Sequence, residues 1–211
     1  MRWPSRFFVT GTDTDVGKTL VSKVLVRGLQ ADYWKPIQAG TEPGTDSLTI
    51  ADFINPSASK IWPERYVLKT PASPHLAAEI DGVSISLSDF ELPDSTNKHL
   101  IVEGAGGLLV PMNENDYVID LIAKFDLPAL VVARSGLGTL NHTLLSIEAL
   151  RRRNISIFGV ILNGDPHESN KKTIEQMGSV KVLGTIPRLK SISNTVLDDV
   201  FESLIDKNAE K

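Results

Sequence analysis

The sequence predicts a doubly wound α/β fold, a mostly parallel sheet with helices on both faces. Short β-rich apolar runs alternate with helical patterns along nearly the whole chain, and alternation of this kind builds parallel βαβ units. Most of the strand runs are continuously apolar, as strands buried on both faces are. The stretch Gly11-Thr12-Asp13-Thr14-Asp15-Val16-Gly17-Lys18-Thr19 lies between the first strand run and the first helical run. It fills the G-x-x-x-x-G-K-[ST] pattern, whose proper setting is a strand–loop–helix unit.

The first strand is placed at residues 7–10, where Phe7, Phe8 and Val9 precede the glycine loop. A helix over 18–29 follows, with Leu20, Val21, Val24, Leu25 and Leu29 on one stripe. The second strand is expected at 32–35, and a short helix at 46–53 opens with Asp46 after a glycine-containing turn. Residues 55–98 break the rhythm; they are rich in proline and serine, which predicts short helices and loops on the sheet's edge. Within them Ser73-Pro74 reads as an N-cap followed by the first helical residue. The alternation then resumes, with strands at 99–103, 129–133, 157–163 and 181–185 and helices at 117–125, 140–153, 169–177 and 193–205. Arg151-Arg152-Arg153 falls at a helix end, where cations complement the dipole, so a structural role is expected for it. Residues 208–211 are expected to fray.

Length and composition bound the function. A chain of 211 residues without repeats or low-complexity tracts fits one domain over 1–211. A net charge of -4 gives no bulk attraction to nucleic acid or anionic lipid. The absence of cysteine excludes disulfides, thiolate metal sites and cysteine nucleophiles, and fits a reducing cytoplasm. The residues before the first strand lack the apolar stretch of a signal peptide, and no apolar run approaches a membrane span.

In open parallel sheets, ligands bind beyond the carboxyl ends of the strands. The first strand leads into the glycine loop, where backbone N–H groups and the following helix N-terminus cradle phosphate. Lys18 would neutralise β- and γ-phosphates, and the Thr19 hydroxyl would ligate Mg²⁺. The second strand leads into Lys35-Pro36, where the lysine is either a solvated charge or a second cation facing the transferring phosphoryl group. The third ends in Glu103-Gly104-Ala105-Gly106-Gly107, with Glu103 as a metal-ligand candidate. Asp46 reads as an N-cap in isolation and as the completion of a metal site with Thr19 and Glu103 in context. The remaining strands end in Gly136-Leu137-Gly138-Thr139 leading to Asn141, in Asn163-Gly164-Asp165, and in Ile186-Pro187-Arg188-Leu189. Charged, amide and glycine residues therefore collect on one edge of the sheet.

Taken in order, GTDTDVGKT, WKPIQAG, the Asp of GTDSL, TPASPH, VEGAGGLLVP, GLGTLNH, ILNGD and GTIPRL strongly resemble the dethiobiotin synthetase family over nearly the whole chain. The phosphate loop and VEGAGG alone are shared with related synthetases; KPIQAG, SPH and GTLNH make the resemblance specific. The resemblance implies a P-loop NTPase-like fold and an ATP- and Mg²⁺-dependent carboxylation of 7,8-diaminononanoate with CO₂ or bicarbonate. A carbamate would attack the γ-phosphoryl group, and the carbamic-phosphoric anhydride would close to the cyclic urea of dethiobiotin.

Residue by residue, the resemblance implies that Asp15, Val16, Gly17, Lys18, Thr19 and Leu20 bind ATP phosphates. Thr19, Asp46 and Glu103 would surround Mg²⁺, and Lys35, with Lys18, would be catalytic. Glu103, Gly104, Ala105 and Gly106 would line the nucleotide site, Asn163 and Gly164 would recognise adenine, and Pro187, Arg188 and Leu189 would close over the base. Thr14 and the Pro74 region would face the diamine. The family's site lies at a homodimer interface, so Gly138, Thr139 and Asn141 would reach the partner's substrate. The chain departs from the pattern at Ala39, where a hydroxyl is common, and Thr41 is the nearby hydroxyl that would substitute.

Rival readings fit less well. A glutamine-dependent synthetase would carry a fused glutaminase domain with a cysteine nucleophile, and the chain has neither. A partition or division-site ATPase would place a lysine early in the loop, where this chain has Thr12-Asp13-Thr14. A GTPase would carry Asn-Lys-x-Asp, which Asn163-Gly164-Asp165-Pro166 does not supply.

Overall fold

A computed structural model describes residues 2–209, with side chains through residue 204. Its elements in chain order are β1 (Arg6–Gly11), α1 (Lys18–Leu29), β2 (Asp32–Trp34), β3 (Ile37–Ala39), α2 (Asp46–Ala51), β4 (Ile61–Trp62), β5 (Tyr66–Leu68) and α3 (Pro74–Asp81). They continue with β6 (Leu100–Gly107), α4 (Val118–Phe125), β7 (Ala129–Arg134), α5 (Thr139–Arg152), β8 (Ile157–Asn163), α6 (Glu168–Gly178), β9 (Val182–Ile186) and α7 (Asn194–Ala209). Seven strands form one parallel sheet in the order β4-β2-β6-β1-β7-β8-β9. The chain leaves β1 toward β2, returns through β6, and then crosses to β7 on the other side of β1. That reversal opens a crevice at the carboxyl ends of β1 and β6, the place where such sheets bind ligands.

The continuous apolar runs are explained by the two faces they serve. Phe7, Val9, Tyr33, Ile101, Leu130, Val132 and Ile161 pack with Val21 and Leu25 of α1 and Leu197 and Phe201 of α7. The alternate residues Phe8, Trp34, Val102, Val131, Val160 and Leu162 pack with Ile119 and Ile122 of α4, Ile147 and Leu150 of α5 and Ile174 of α6. A strand whose side chains alternate between two covered faces must be apolar at every position.

The second strand is shorter than expected, ending at Trp34, and Lys35 and Pro36 lie beyond it. Proline has no N–H for the ladder, and after it the chain forms β3, which pairs with β5 in a separate two-stranded parallel sheet. Residues 55–98, expected to hold only short helices and loops, also supply β5 and the edge strand β4. Two- and three-residue strands carry too little periodicity to be read from sequence.

The Asp32 carboxylate ties this excursion down. It accepts hydrogen bonds from Lys60 N at 2.9 Å, Trp62 Nε1 at 3.2 Å, Ser95 Oγ at 2.8 Å and Asn97 Nδ2 at 3.0 Å.

The helix expected at 117–125 begins at Val118, because Tyr117 is its N-cap and donates its backbone N–H to Asp120 Oδ2 at 2.8 Å. The helix expected at 46–53 ends at Ala51, and the strand expected at 99–103 runs on to Gly107. The three arginines bond within the fold: Arg151 donates to the Gly178 and Ser179 carbonyls at the end of α6, Arg152 pairs with Glu148 one turn back and Arg153 with Asp120 of α4. The fraying expected for 208–211 lies outside the described residues, apart from the backbone of α7 as far as Ala209.

Candidate functional site

The glycine loop joins β1 to α1. Gly17 is the helix N-cap with φ 98°, a left-handed conformation that favours glycine. A Cβ there would also lie 2.0 Å from Asn163 Nδ2, so a larger residue would displace the Asn163 side chain as well as strain the backbone. Val16 is buried in the core beneath the loop. Lys18 opens α1 and is almost fully buried, and its ammonium donates to the Asp13 carbonyl at 3.0 Å. Burial pushes its pKa below the ordinary lysine value, and the neighbouring Lys35 charge adds to the effect. An incoming anion relieves such strain, because it supplies the countercharge that burial withholds.

Thr19 of α1, Lys35 just past the end of β2, Asp46 of α2 and Glu103 of β6 meet at one point. Lys35 Nζ lies 2.7 Å from Asp46 Oδ2 and 3.1 Å from Glu103 Oε1. Thr19 Oγ1 lies 2.8 Å from Asp46 Oδ1 and 3.2 Å from Glu103 Oε1. The order β2-β6-β1 makes this possible, since β6 carries Glu103 between the strands that lead to Lys35 and to Thr19. Burial works against the Lys35 ammonium, but Glu103 and Asp46 outweigh it and hold its pKa above the ordinary value. Burial likewise opposes the Asp46 carboxylate, and Lys35 chiefly, with Thr19, brings its pKa below the usual range.

Two residues that the sequence reading passed over complete the cluster. Tyr33, fully buried in β2, donates its hydroxyl to Glu103 Oε2 at 3.1 Å. Burial, followed by the Glu103 charge, holds the phenol protonated far above its normal range. Gln38 in β3 accepts from Asp46 N at 3.1 Å through Oε1 and donates through Nε2 to the Gly40 carbonyl at 2.8 Å. It thereby closes the loop that presents Asp46. Its place in WKPIQAG was the only sequence signal for it; the aromatic Tyr33 looked like ordinary core. Arg134, at the end of β7, reaches over the loop, with Nη2 donating to the Thr14 carbonyl at 3.3 Å and Nη1 lying 3.7 Å from Asp13.

The cluster forms the floor of a cavity of about 650 Å³. On one side the cavity is lined by Thr14, Asp15, Gly17, Lys18 and Thr19, and on another by Glu103, Ala105 and Gly106. The remaining wall is Gln38, Ala39, Pro71, Ala72, Ser73, Pro74 and Val110. Ser73 caps α3 by position but makes no side-chain bond to its first turn. Val16, Leu20, Gly104 and Thr41 do not line this cavity; Gly104 packs so closely on Phe8 that a Cβ would lie 2.7 Å from its ring.

Asn163 ends β8 and stands beside the glycine loop, Gly164 follows it against Ser135, and Pro187, Arg188 and Leu189 follow β9; none of the five lines the cavity. Gly138, Thr139 and Asn141 start α5, also outside the cavity. Gly138 and Asn141 are exposed, while the Thr139 hydroxyl turns inward to Thr143 at 3.2 Å.

The donor set fits a hard divalent cation. One hydroxyl and two carboxylates supply oxygen atoms only, and Mg²⁺ is ordinarily held by one or two carboxylates together with substrate phosphates. Among the described residues, no group of three or more acidic or histidine side chains is gathered so as to hold a metal ion by itself.

Residues 5–196 match the family model described as an AAA domain. The ATP-dependent dethiobiotin synthetase BioD of Novosphingobium aromaticivorans is 49% identical over 195 residues, spanning 92% of this chain and 94% of the relative. That of Afipia carboxidovorans is 46% identical over 197 residues, spanning 93% and 94%. Among solved structures, a plasmid partition protein from Borrelia burgdorferi superposes with a TM-score of 0.60 at 12% identity, covering 98% of this chain and all of that one. The septum site-determining protein MinD of Pyrococcus horikoshii, complexed with Mg-ADP, gives 0.54 at 14% identity over 97% of each chain. Likeness at such identities speaks of a shared fold.

Proposed function

The chain belongs to the ATP-dependent dethiobiotin synthetase family, and on that premise we propose how its own residues carry out the reaction. Its activity is that of an ATP-dependent cyclo-ligase of biotin biosynthesis. One amine of 7,8-diaminononanoate takes up CO₂ as a carbamate. A carbamate oxygen attacks the γ-phosphorus of ATP, ADP leaves, and a carbamic-phosphoric anhydride forms. The second amine attacks the anhydride carbon and expels phosphate, closing the cyclic urea.

One observation carries the residue-level reading: a buried lysine held between two carboxylates at the junction of a phosphate loop and a second, non-nucleotide wall. Every step before ring closure gathers negative charge at one point, so the protein's task is positioning and charge compensation. Lys18 meets the β- and γ-phosphates from the loop. Lys35, kept cationic by Asp46 and Glu103, faces both the carbamate and the γ-phosphoryl oxygens. Thr19, Asp46 and Glu103 would hold Mg²⁺, which supplies neutralisation of the phosphate charge. Gln38 and Tyr33 keep Asp46 and Glu103 in place. Asp15, Gly17, Ala105 and Gly106 surround the phosphates; Asn163 and Gly164, with residues 187–189, form the base seat. The wall formed by Thr14, Ala39, Ser73 and Pro74 faces the diamine, with the Ser73 hydroxyl free where Ala39 offers none. Thr41 is set aside from that role, since it does not line the cavity.

We further propose a homodimer in the cytoplasm. Leu109 in the turn after β6, Leu137 just before α5 and Leu145 within α5 are exposed. Leu109 and Leu145 border a hollow of about 270 Å³. A second copy over that hollow would bring Gly138, Thr139 and Asn141 to its neighbour's substrate. No helix among the described residues is long and apolar enough to cross a membrane.

Phosphate release from MgATP, measured with and without 7,8-diaminononanoate and bicarbonate, tests the reading. Release that needs both additions and yields dethiobiotin by mass is the expected outcome. Release indifferent to the diamine would overturn it.

A further inference from the structure

We propose that Asn163 is a positioning residue for the phosphate loop, setting the direction of a phosphate-binding N–H group whatever base the nucleotide carries. The inference rests on the phosphate-loop reading given above. Asn163 ends β8, which is separated from β1 by β7. Its side-chain Nδ2 nevertheless reaches the loop and donates to the Val16 carbonyl at 2.9 Å.

The platform under Asn163 is tied on both sides. Its own carbonyl accepts from Ser135 N at 3.0 Å, beside the end of β7. The next amide, Gly164 N, donates to the Ile186 carbonyl at 2.8 Å, at the end of β9. Gly164 has φ 126°, and a Cβ there would lie 2.6 Å from Ser135 Oγ. The amide is therefore presented from a braced point, not from a mobile tip.

What it holds is the peptide between Val16 and Gly17. In a trans peptide the C=O and N–H point in opposite directions. Drawing the Val16 carbonyl toward Asn163 sends the Gly17 N–H away from it, and Gly17 lines the cavity. Without the brace that peptide plane is free to turn, because a glycine follows it. A turned peptide would present a carbonyl oxygen where the phosphate needs a donor. The bond uses one of the two Asn163 N–H groups, so holding the loop and touching a base are compatible roles with different consequences.

Inorganic tripolyphosphate separates the two roles, since it has no base. Its binding and that of ATP are measured by calorimetry in the presence of Mg²⁺ for the wild-type chain, Asn163→Ala and Asn163→Leu; the leucine keeps the length and lacks the donor. The expected result, in both variants, is a loss of about tenfold for tripolyphosphate, the worth of one well-placed hydrogen bond, and at least that for ATP. Hydrogen exchange should quicken over residues 12–18 and nowhere else. Weaker ATP binding with tripolyphosphate unchanged would overturn the proposal and leave Asn163 a reader of the base. Faster exchange throughout the variants would overturn it too, assigning the loss to the fold. A wild-type chain that binds neither probe would refute the phosphate-loop reading itself.

Discussion

Replacing Lys35 by methionine keeps the side chain's bulk and deletes the charge between Asp46 and Glu103. The ammonium lies 2.7 Å from one carboxylate and 3.1 Å from the other, and its side chain is 6% exposed. Breaking a buried ion pair from one side costs about 3–5 kcal/mol, because the remaining charge is left uncompensated. Here Glu103 keeps its bonds from Tyr33 and Thr19, and the Asp46 side chain is 28% exposed. The lower end, about 3 kcal/mol at neutral pH, is therefore expected. A divalent cation placed among the same oxygens would offset part of it, so Mg²⁺ should stabilise the variant more than the wild-type chain. Turnover should fall by about a hundredfold or more, the usual consequence of deleting one preorganised charge, while ATP still binds. Urea unfolding with and without Mg²⁺ and the coupled phosphate-release assay read the two effects. Normal turnover would refute the catalytic assignment. Stability shifted by less than about 1 kcal/mol would refute the electrostatic argument, since a buried pair cannot be broken that cheaply.

Tyr33→Phe removes the hydrogen bond to Glu103 Oε2, so the Mg²⁺ concentration for half-maximal turnover should rise severalfold with the diamine KM unchanged; a Mg²⁺ titration checks this, and an unaltered dependence would remove Tyr33 from the site's support. Asp32→Asn replaces an acceptor of four hydrogen bonds with a group that itself donates, costing about 3 kcal/mol at neutral pH by urea unfolding. Burial alone would raise the Asp32 pKa, but the bonds from Asn97, Lys60, Ser95 and Trp62 hold it below the ordinary range. A depressed carboxylate stabilises the fold above its unfolded pKa of about 3.9, and that contribution is lost as pH falls through the folded value below it. The wild-type chain should therefore lose stability on the acid side more steeply than Asp32→Asn; parallel acid limbs would show that Asp32 is not the group responsible.

Much of the architecture was legible because it is written locally. The Phe7-Phe8-Val9 run, the glycine loop and the stripe from Leu20 to Leu29 are each set by covalent geometry and side-chain periodicity within a few residues. The strand from Ile157 to Asn163 falls where its apolar run places it. Proline at 74 opens α3 as its fixed φ requires. β3, β4 and β5 were not legible, because two or three residues show no period; β4 is held beside β2 by Asp32 from a distance, and β3 and β5 find only each other.

The site divides in the same way. The sequence by itself determined which groups are available, Lys18 and Thr19 after the glycine loop, Lys35 after the second strand, Asp46 opening a short helix and Glu103 at the third strand. Tertiary structure alone decided that Lys35 stands between Asp46 and Glu103, that Tyr33 and Gln38 steady those carboxylates, and that Asn163 holds Val16. Those contacts join residues up to 147 positions apart. They depend on β6 lying between β2 and β1 and on β8 lying across β7, an order of strands that short-range propensity leaves open and the burial of two sheet faces resolves.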